Sequence, residues 1–199
     1  MRAIEWEQWL QHQRDAHRKV VFTCTELANA AHAKPRSLSV ALQRLVKAGV
    51  LVRYASGRYG LPGAVQAEDL LPALDSSAYI TGLYALHRHQ IITQNPTEIT
   101  CFTARRHNRS RVRNTPHGRI VFMCVGRSIY SPPQDGVMAS AEQALCDAAH
   151  IYARRGLKLS TLVSLKNRCR LTPKPLKARL LKYPPAVQQE IKELLQQNT

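Results

Sequence analysis

Six residues suited to meeting a nucleic acid recur within one short stretch, KPRSLSVALQRLVK: Lys34, Arg36, Ser37, Val40, Arg44 and Lys47. Arginine and serine hydrogen-bond base edges, a valine methyl lies well against the methyl of thymine, and lysine and arginine neutralise phosphates. Two more arginines, Arg53 and Arg58, flank the middle of the next segment, VLVRYASGRYGL. The chemistry these types suit is recognition. Arg36, Ser37 and Val40 are placed to read bases, with Lys34, Arg44 and Lys47 nearby for phosphates. Arg53 and Arg58 are placed to grip the backbone or enter the minor groove.

Such roles require elements that turn these side chains one way. Leu38, Ala41, Leu42, Leu45 and Val46 recur at spacings of three and four, which predicts a helix with one buried stripe. Pro35 fits its first position. Gly49 fits its left-handed end, where Val50 folds back on Leu45. Upstream, Thr23 and Glu26 form a capping box, and Phe22 and Leu27 a hydrophobic staple, predicting a helix over Cys24–Ala31. A first helix is expected over Ile4–Ala16, packed through Ile4, Trp6, Trp9 and Leu10. After Gly49 the period changes from 3.6 to 2, so VLVRY and RYGL read as strands about Ala55-Ser56-Gly57. Three helices and a basic hairpin make the pattern of a winged helix-turn-helix, expected over residues 1–63. Such a module also serves protein contacts; the charge of this chain favours DNA.

That charge is +16 over 199 residues, from 29 Lys and Arg against 13 Asp and Glu. Solubility does not require such an excess, and it implies a polyanionic partner. The excess is spread along the chain: 10 basic against 6 acidic side chains in residues 1–70, 8 against 3 in 71–137, and 11 against 4 in 138–199. No apolar run reaches 18 residues and the N-terminus, MRAIEWEQWL, is not a signal peptide, so a cytoplasmic protein without a membrane partner is expected. Five widely spaced cysteines without a C-x-x-C pair read as free thiols.

Residues 64–75, with Pro72 and an acidic Glu68-Asp69 pair, read as a linker to a mixed α/β, helix-rich domain over 76–199, giving an α+β chain overall. Asp75 or Ser76 is expected to cap a helix running to about Gln90, with Ile80, Leu83, Tyr84 and His87 on one face. EITCFTARR and RIVFMCV read as strands. Between them RRHNRSRVRNTPHG carries Arg105, Arg106, Arg109, Arg111 and Arg113 and no acid. This is expected to be a mobile loop and a second, phosphate-directed contact, for which the arginine fork is suited. ASAEQALCDAAHIYARRG reads as a helix with a capping box at Ser140 and Gln143, ended by Gly156. Further helices are expected near Ser160–Arg168, Pro173–Lys182 and from Pro185.

With these elements in place, the chain resembles, over most of its length, the AbiEi antitoxins of type IV toxin–antitoxin systems. VFTCTELAN and LSVALQRLVKAGVLVRYASGRYGL resemble that family's N-terminal winged helix. YITGLYALHRHQI, TEITCFTARR and ASAEQALCDAA resemble its C-terminal domain, where a helix opening Ser-x-Glu-x-Ala-Leu-x-Asp recurs, here Ser140, Glu142, Ala144, Leu145 and Asp147. The resemblance implies that the N-terminal domain binds inverted repeats in the promoter of its own operon and represses it. It also implies that the C-terminal domain counters a nucleotidyltransferase-like toxin without a stable complex. The chain is expected to be monomeric when free and paired on DNA.

Catalytic patterns are missing from the sequence. There is no phosphate-binding loop, dinucleotide fingerprint or G-x-S-x-G, and no Cys/His metal spacing. No cofactor, metal or enzymatic activity is expected. The competing reading, a nucleic-acid-modifying enzyme such as a nuclease, requires Asp135, Glu142 and Asp147 to converge in a basic cleft.

Overall fold

The computed structural model describes residues 2–107 and 110–196. Among them are eight α-helices and two small sheets, an α+β arrangement. Two units divide the chain: Met1–Ser76 with Asn114–His117, and Ser77–Arg113 with Gly118–Thr199.

The first unit runs α1 (Ala3–His17), β1 (Phe22–Thr23), α2 (Cys24–Ala31), α3 (Pro35–Lys47), β2 (Val52–Ala55), β3 (Arg58–Gly60) and α4 (Ala67–Leu74). The capping box forms as expected: Glu26 N–H donates to Thr23 Oγ1 at 3.2 Å, and Thr23 N–H to the Glu26 carboxylate at 2.8 Å. Phe22 and Leu27 then enter one core with Trp6, Leu10, Leu38, Leu42, Leu45, Leu51 and Leu61. Trp9 packs its ring on Trp6 and Phe22, whereas Ile4, expected to pack, is 61 % exposed. At the end of α3, Val50 N–H reaches Leu45 O at 3.0 Å and Gly49 N–H reaches Val46 O at 3.1 Å, with Gly49 at φ 74. This is a Schellman ending.

One stripe position is corrected. Val46 is exposed, because Leu45 and Val46 both follow Leu42 at helical spacing and only Leu45 points at the core. The sheet order is β1-β3-β2, antiparallel throughout, so β1 ties the start of α2 to the hairpin through Phe22↔Tyr59 and Thr23↔Arg58. Residues 64–75, expected as a linker, instead hold α4. Its Ala67, Leu70 and Leu71 are buried, and Asp69 accepts the Gln66 N–H at 2.8 Å. The Pro/Gly punctuation and acidic pair of that stretch mark a helix start rather than an open connection.

The second unit is built around β4 (Tyr79–Thr81), β5 (Glu98–Thr103), β7 (Gly118–Cys124) and the first two residues, Val112 and Arg113, of β6 (Val112–Thr115), in the sheet order β4-β5-β7-β6. Its helices are α5 (Gly82–Arg88), α6 (Ala141–Ala153), α7 (Pro173–Leu180) and α8 (Pro185–Gln196). The helix expected from residue 75 or 76 to Gln90 is thus split. Tyr79, Ile80 and Thr81 pair with Phe102, Cys101 and Thr100, and Gly82, at φ 68, turns the chain into the short α5. The arginine-rich segment, expected as a loop, contains β6. The helix expected over Ser160–Arg168 is replaced by two 3-10 turns, Leu159–Thr161 and Arg168–Arg170.

α6 packs on α5, α7 and α8 and is buried all round from Ala141 to Ile151. Its cap is half of the expected box. Gln143 N–H donates to Ser140 Oγ, but the Gln143 side chain donates to Ser131 O instead of returning to the cap.

Candidate nucleic-acid interface

Leu38, Leu42 and Leu45 anchor α3, so the opposite face is fixed in direction. Arg36, Ser37, Val40, Arg44 and Lys47 are all exposed there, Val40 by 49 %, and Lys34 is exposed at the N-cap position. Ser37 Oγ donates to Lys34 O at 2.8 Å, so its hydroxyl presents lone pairs outward and suits an amino group on a base edge. No carboxylate among the described residues pairs with Lys34, Arg36, Arg44 or Lys47. Gln43 is exposed on the same face, three residues after Val40 and seven after Arg36. That spacing is readable in the sequence, and glutamine is suited to bidentate contact with adenine.

The two hairpin arginines differ. Arg53 is exposed on β2. Arg58 is half-buried: its Nε donates to Ala73 O at 2.7 Å and its Nη1 to Gly57 O at 3.2 Å. The expected role of Arg58 on the DNA backbone therefore competes with a role inside the unit. A register shift between Arg53 and Ala55 leaves Tyr54 turned inward, its Oη donating to Leu61 O at 2.9 Å, and shortens the turn to Ser56-Gly57.

In the second unit, Arg105, Arg106 and Arg111 are exposed. Arg113 is half-buried, with Nη1 donating to Ser110 O at 2.8 Å and Val112 O at 3.0 Å; Arg109 lies outside the described residues. The segment is anchored at several points. Phe122 N–H donates to Arg111 O at 2.8 Å, and the His107 ring stacks on Phe122 with centroids 4.4 Å apart.

The three carboxylates of the competing enzymatic reading have separate surroundings. Asp135 is exposed. Burial works against ionisation of Glu142, but the Thr172 N–H, donating at 2.8 Å, and further hydrogen bonds hold its carboxyl below the usual range. Asp147 is fully buried, and burial pushes it up to about 6 although three hydroxyls oppose this. Thr81 Oγ1 donates to it at 2.6 Å, Tyr183 Oη at 2.5 Å and Tyr79 Oη at 3.4 Å. Burial and the Asp147 charge raise both tyrosines, and burial raises Cys146 to about 12. Among the described residues no group of three or more His, Cys, Asp or Glu is placed to hold a metal ion, and no helix is long and apolar enough to cross a membrane.

Against known proteins, the chain matches no family model and no curated protein sequence.

Proposed function

We propose that the chain is an AbiEi-type antitoxin of the cytoplasm that represses its own operon. In this reading α1, β1, α2, α3, β2 and β3 form a winged helix, and α3 enters the major groove with Arg36, Ser37, Val40 and Gln43 on base edges. Lys34, Arg44, Lys47 and Arg53 take phosphates. Two copies sit on an inverted repeat in the promoter, and the arginines of the second unit add phosphate contacts that carry no sequence preference. The second unit counters a nucleotidyltransferase-like toxin without a stable complex; that part of the proposal rests on the resemblance of α6 and its neighbours.

The observation that carries the DNA-binding part is the division of α3. Leu38, Leu42 and Leu45 are buried, while a basic face free of carboxylate partners among the described residues points the other way. The test is binding of the purified chain to DNA from upstream of its own coding sequence. Footprinting should show paired half-sites roughly one helical turn, about 10 base pairs, or a multiple apart. A single unpaired site, or binding indifferent to sequence, refutes it. Growth rescue on co-expression with the adjacent gene product tests the antitoxic part separately.

A further inference from the structure

β5 and β7 run parallel in continuous register, from Glu98↔Arg119 to Thr103↔Cys124. They therefore end side by side, and the loops that follow both leave from the same edge. Crevices outside the carboxyl ends of parallel strands are where open α/β sheets commonly take ligands.

A cleft of about 740 Å³ opens there, lined among others by Arg106, Arg111 and Arg154, and by His107, Phe122 and Cys124. That volume falls within the range of small-molecule sites. None of its lining residues is acidic. The three arginines are exposed and have no carboxylate partner among the described residues. They arrive from different places: Arg106 from the loop after β5, Arg111 just before β6, and Arg154 from the C-cap of α6. Three converging cations without a counter-ion repel one another and favour an anion, and the guanidinium fork matches the oxygens of phosphate.

Beside them lies an aromatic layer. Phe122 is buried at 1 % exposure, and the half-buried His107 ring stacks on it at 4.4 Å with planes 28° apart. Histidine and phenylalanine rings are surfaces on which unpaired bases stack.

We propose that this cleft binds a nucleotide, its phosphate held by Arg106, Arg111 and Arg154 and its base laid on the His107 ring, which Phe122 backs. The nucleotide is either free or the 5′-phosphorylated end of a single strand; a base inside a duplex is already stacked on its neighbours. The inference shares the arginine-rich segment with the proposed function and does not depend on promoter recognition.

Cys124 is exposed in this cleft, and Cys24 and Cys169 are exposed elsewhere, so the chain carries its own reporter and controls. Iodoacetamide alkylation of the full chain, followed by mass spectrometry, reads each thiol separately. Adenosine 5′-monophosphate or a 5′-phosphorylated RNA hexamer should slow Cys124 about five-fold or more and leave Cys24 and Cys169 unchanged. Protection by both probes indicates free nucleotide, and protection by the hexamer alone indicates a strand end. Replacing Arg111 and Arg154 together by Ser should abolish the effect, while buried Cys101 and Cys146 stay unreactive and so report a folded variant. Equal protection by inorganic phosphate, protection of all three thiols together, or none at Cys124 overturns the proposal. Promoter binding measured in parallel separates the readings: intact promoter binding without Cys124 protection removes this inference alone, and the reverse removes the repressor alone.

Discussion

Arg58 Nε donates to Ala73 O at 2.7 Å, so the charged end of a hairpin side chain closes the last turn of α4. Arginine near a helix C-terminus satisfies a carbonyl left open there and meets the negative end of the helix dipole. Arg58→Ala should therefore lower the stability of the first unit by about 1–2 kcal/mol, within the usual range for a hydrogen bond to a charged group and for capping. Urea unfolding measures it. If stability is unchanged and DNA affinity falls, Arg58 acts on DNA as the sequence pattern suggests.

Arg36→Ala is the counterpart. Its side chain is exposed at the start of α3, so stability should stay within about 0.5 kcal/mol. Affinity for the cognate promoter should fall by about 1–3 kcal/mol, and the preference at one base pair should relax. Competition binding against single-base variants of the site reads both. An unchanged preference would mean that α3 presents another face to the bases.

The salt dependence of promoter binding separates the two basic regions. Replacing Arg105, Arg106, Arg111 and Arg113 by Ser should flatten the slope of log affinity against log salt by about one for each phosphate no longer neutralised, and leave sequence preference intact. Arg113 should contribute least, because its guanidinium already serves Ser110 O and Val112 O. An unchanged slope would confine DNA binding to the first unit.

Asp147 makes stability depend on pH in the direction opposite to most carboxylates. Burial raises it to about 6, so the fold favours its neutral form. That contribution is complete below the ordinary carboxyl value near 4, is lost between about pH 4 and 6, and stays lost above. The change is on the order of 3 kcal/mol. Glu26 and Glu142 are held below the usual range by their hydrogen bonds against the opposing effect of burial, so their contribution is lost as pH falls. Comparison with Asp147→Asn cancels them. The variant's stability relative to the native chain should rise as pH goes from 4 to 6.5 and then level off, in urea unfolding at fixed temperature. A difference that does not vary with pH would refute the assignment.

Gly60 sets a steric limit. A Cβ there would lie 2.4 Å from Val20 O and 2.7 Å from Val65 Cγ2. One of these neighbours is backbone, so Gly60→Ala should destabilise by about 1–3 kcal/mol through overpacking, measurable as a lower unfolding midpoint. A neutral substitution would mean that the chain around Val20 yields easily.

What was legible from the sequence was mostly what neighbouring residues decide among themselves. Thr23 and Glu26 cap one helix, Gly49 and Val50 end the next, and the Leu38–Leu42–Leu45 stripe sets which side of α3 faces outward. Those interactions close within a few residues, and most of the candidate α3 face follows from them; Gln43 was readable at the same spacing. What escaped was decided at a distance. Ile80 shares a helical pattern with Leu83, Tyr84 and His87, but residues 100–102 draw Tyr79, Ile80 and Thr81 into a sheet. Arg58 looks like any exposed wing arginine until Ala73 is placed beside it. The cleft at the ends of β5 and β7 joins residues from 106 to 154, and no local pattern announces it.

The parallel pairing of β5 with β7 also has a kinetic consequence. The strands cannot meet until residues 104–117 have left one end and returned to the other, and here the return path is an edge strand rather than the usual crossover helix. Loop closure must precede any gain from the pairing, and repulsion among the arginines of that path adds to its cost. The β4–β5 pairing does not need this closure and is available earlier during synthesis. Ile80↔Cys101 and Cys101↔Phe122 span equal lengths of chain, so it is the charge of its path, not loop length, that sets the β5–β7 pairing apart. That pairing should be accelerated by salt or polyanions that screen the crossover, so that a nucleic acid would assist the assembly of the second unit as well as occupy it.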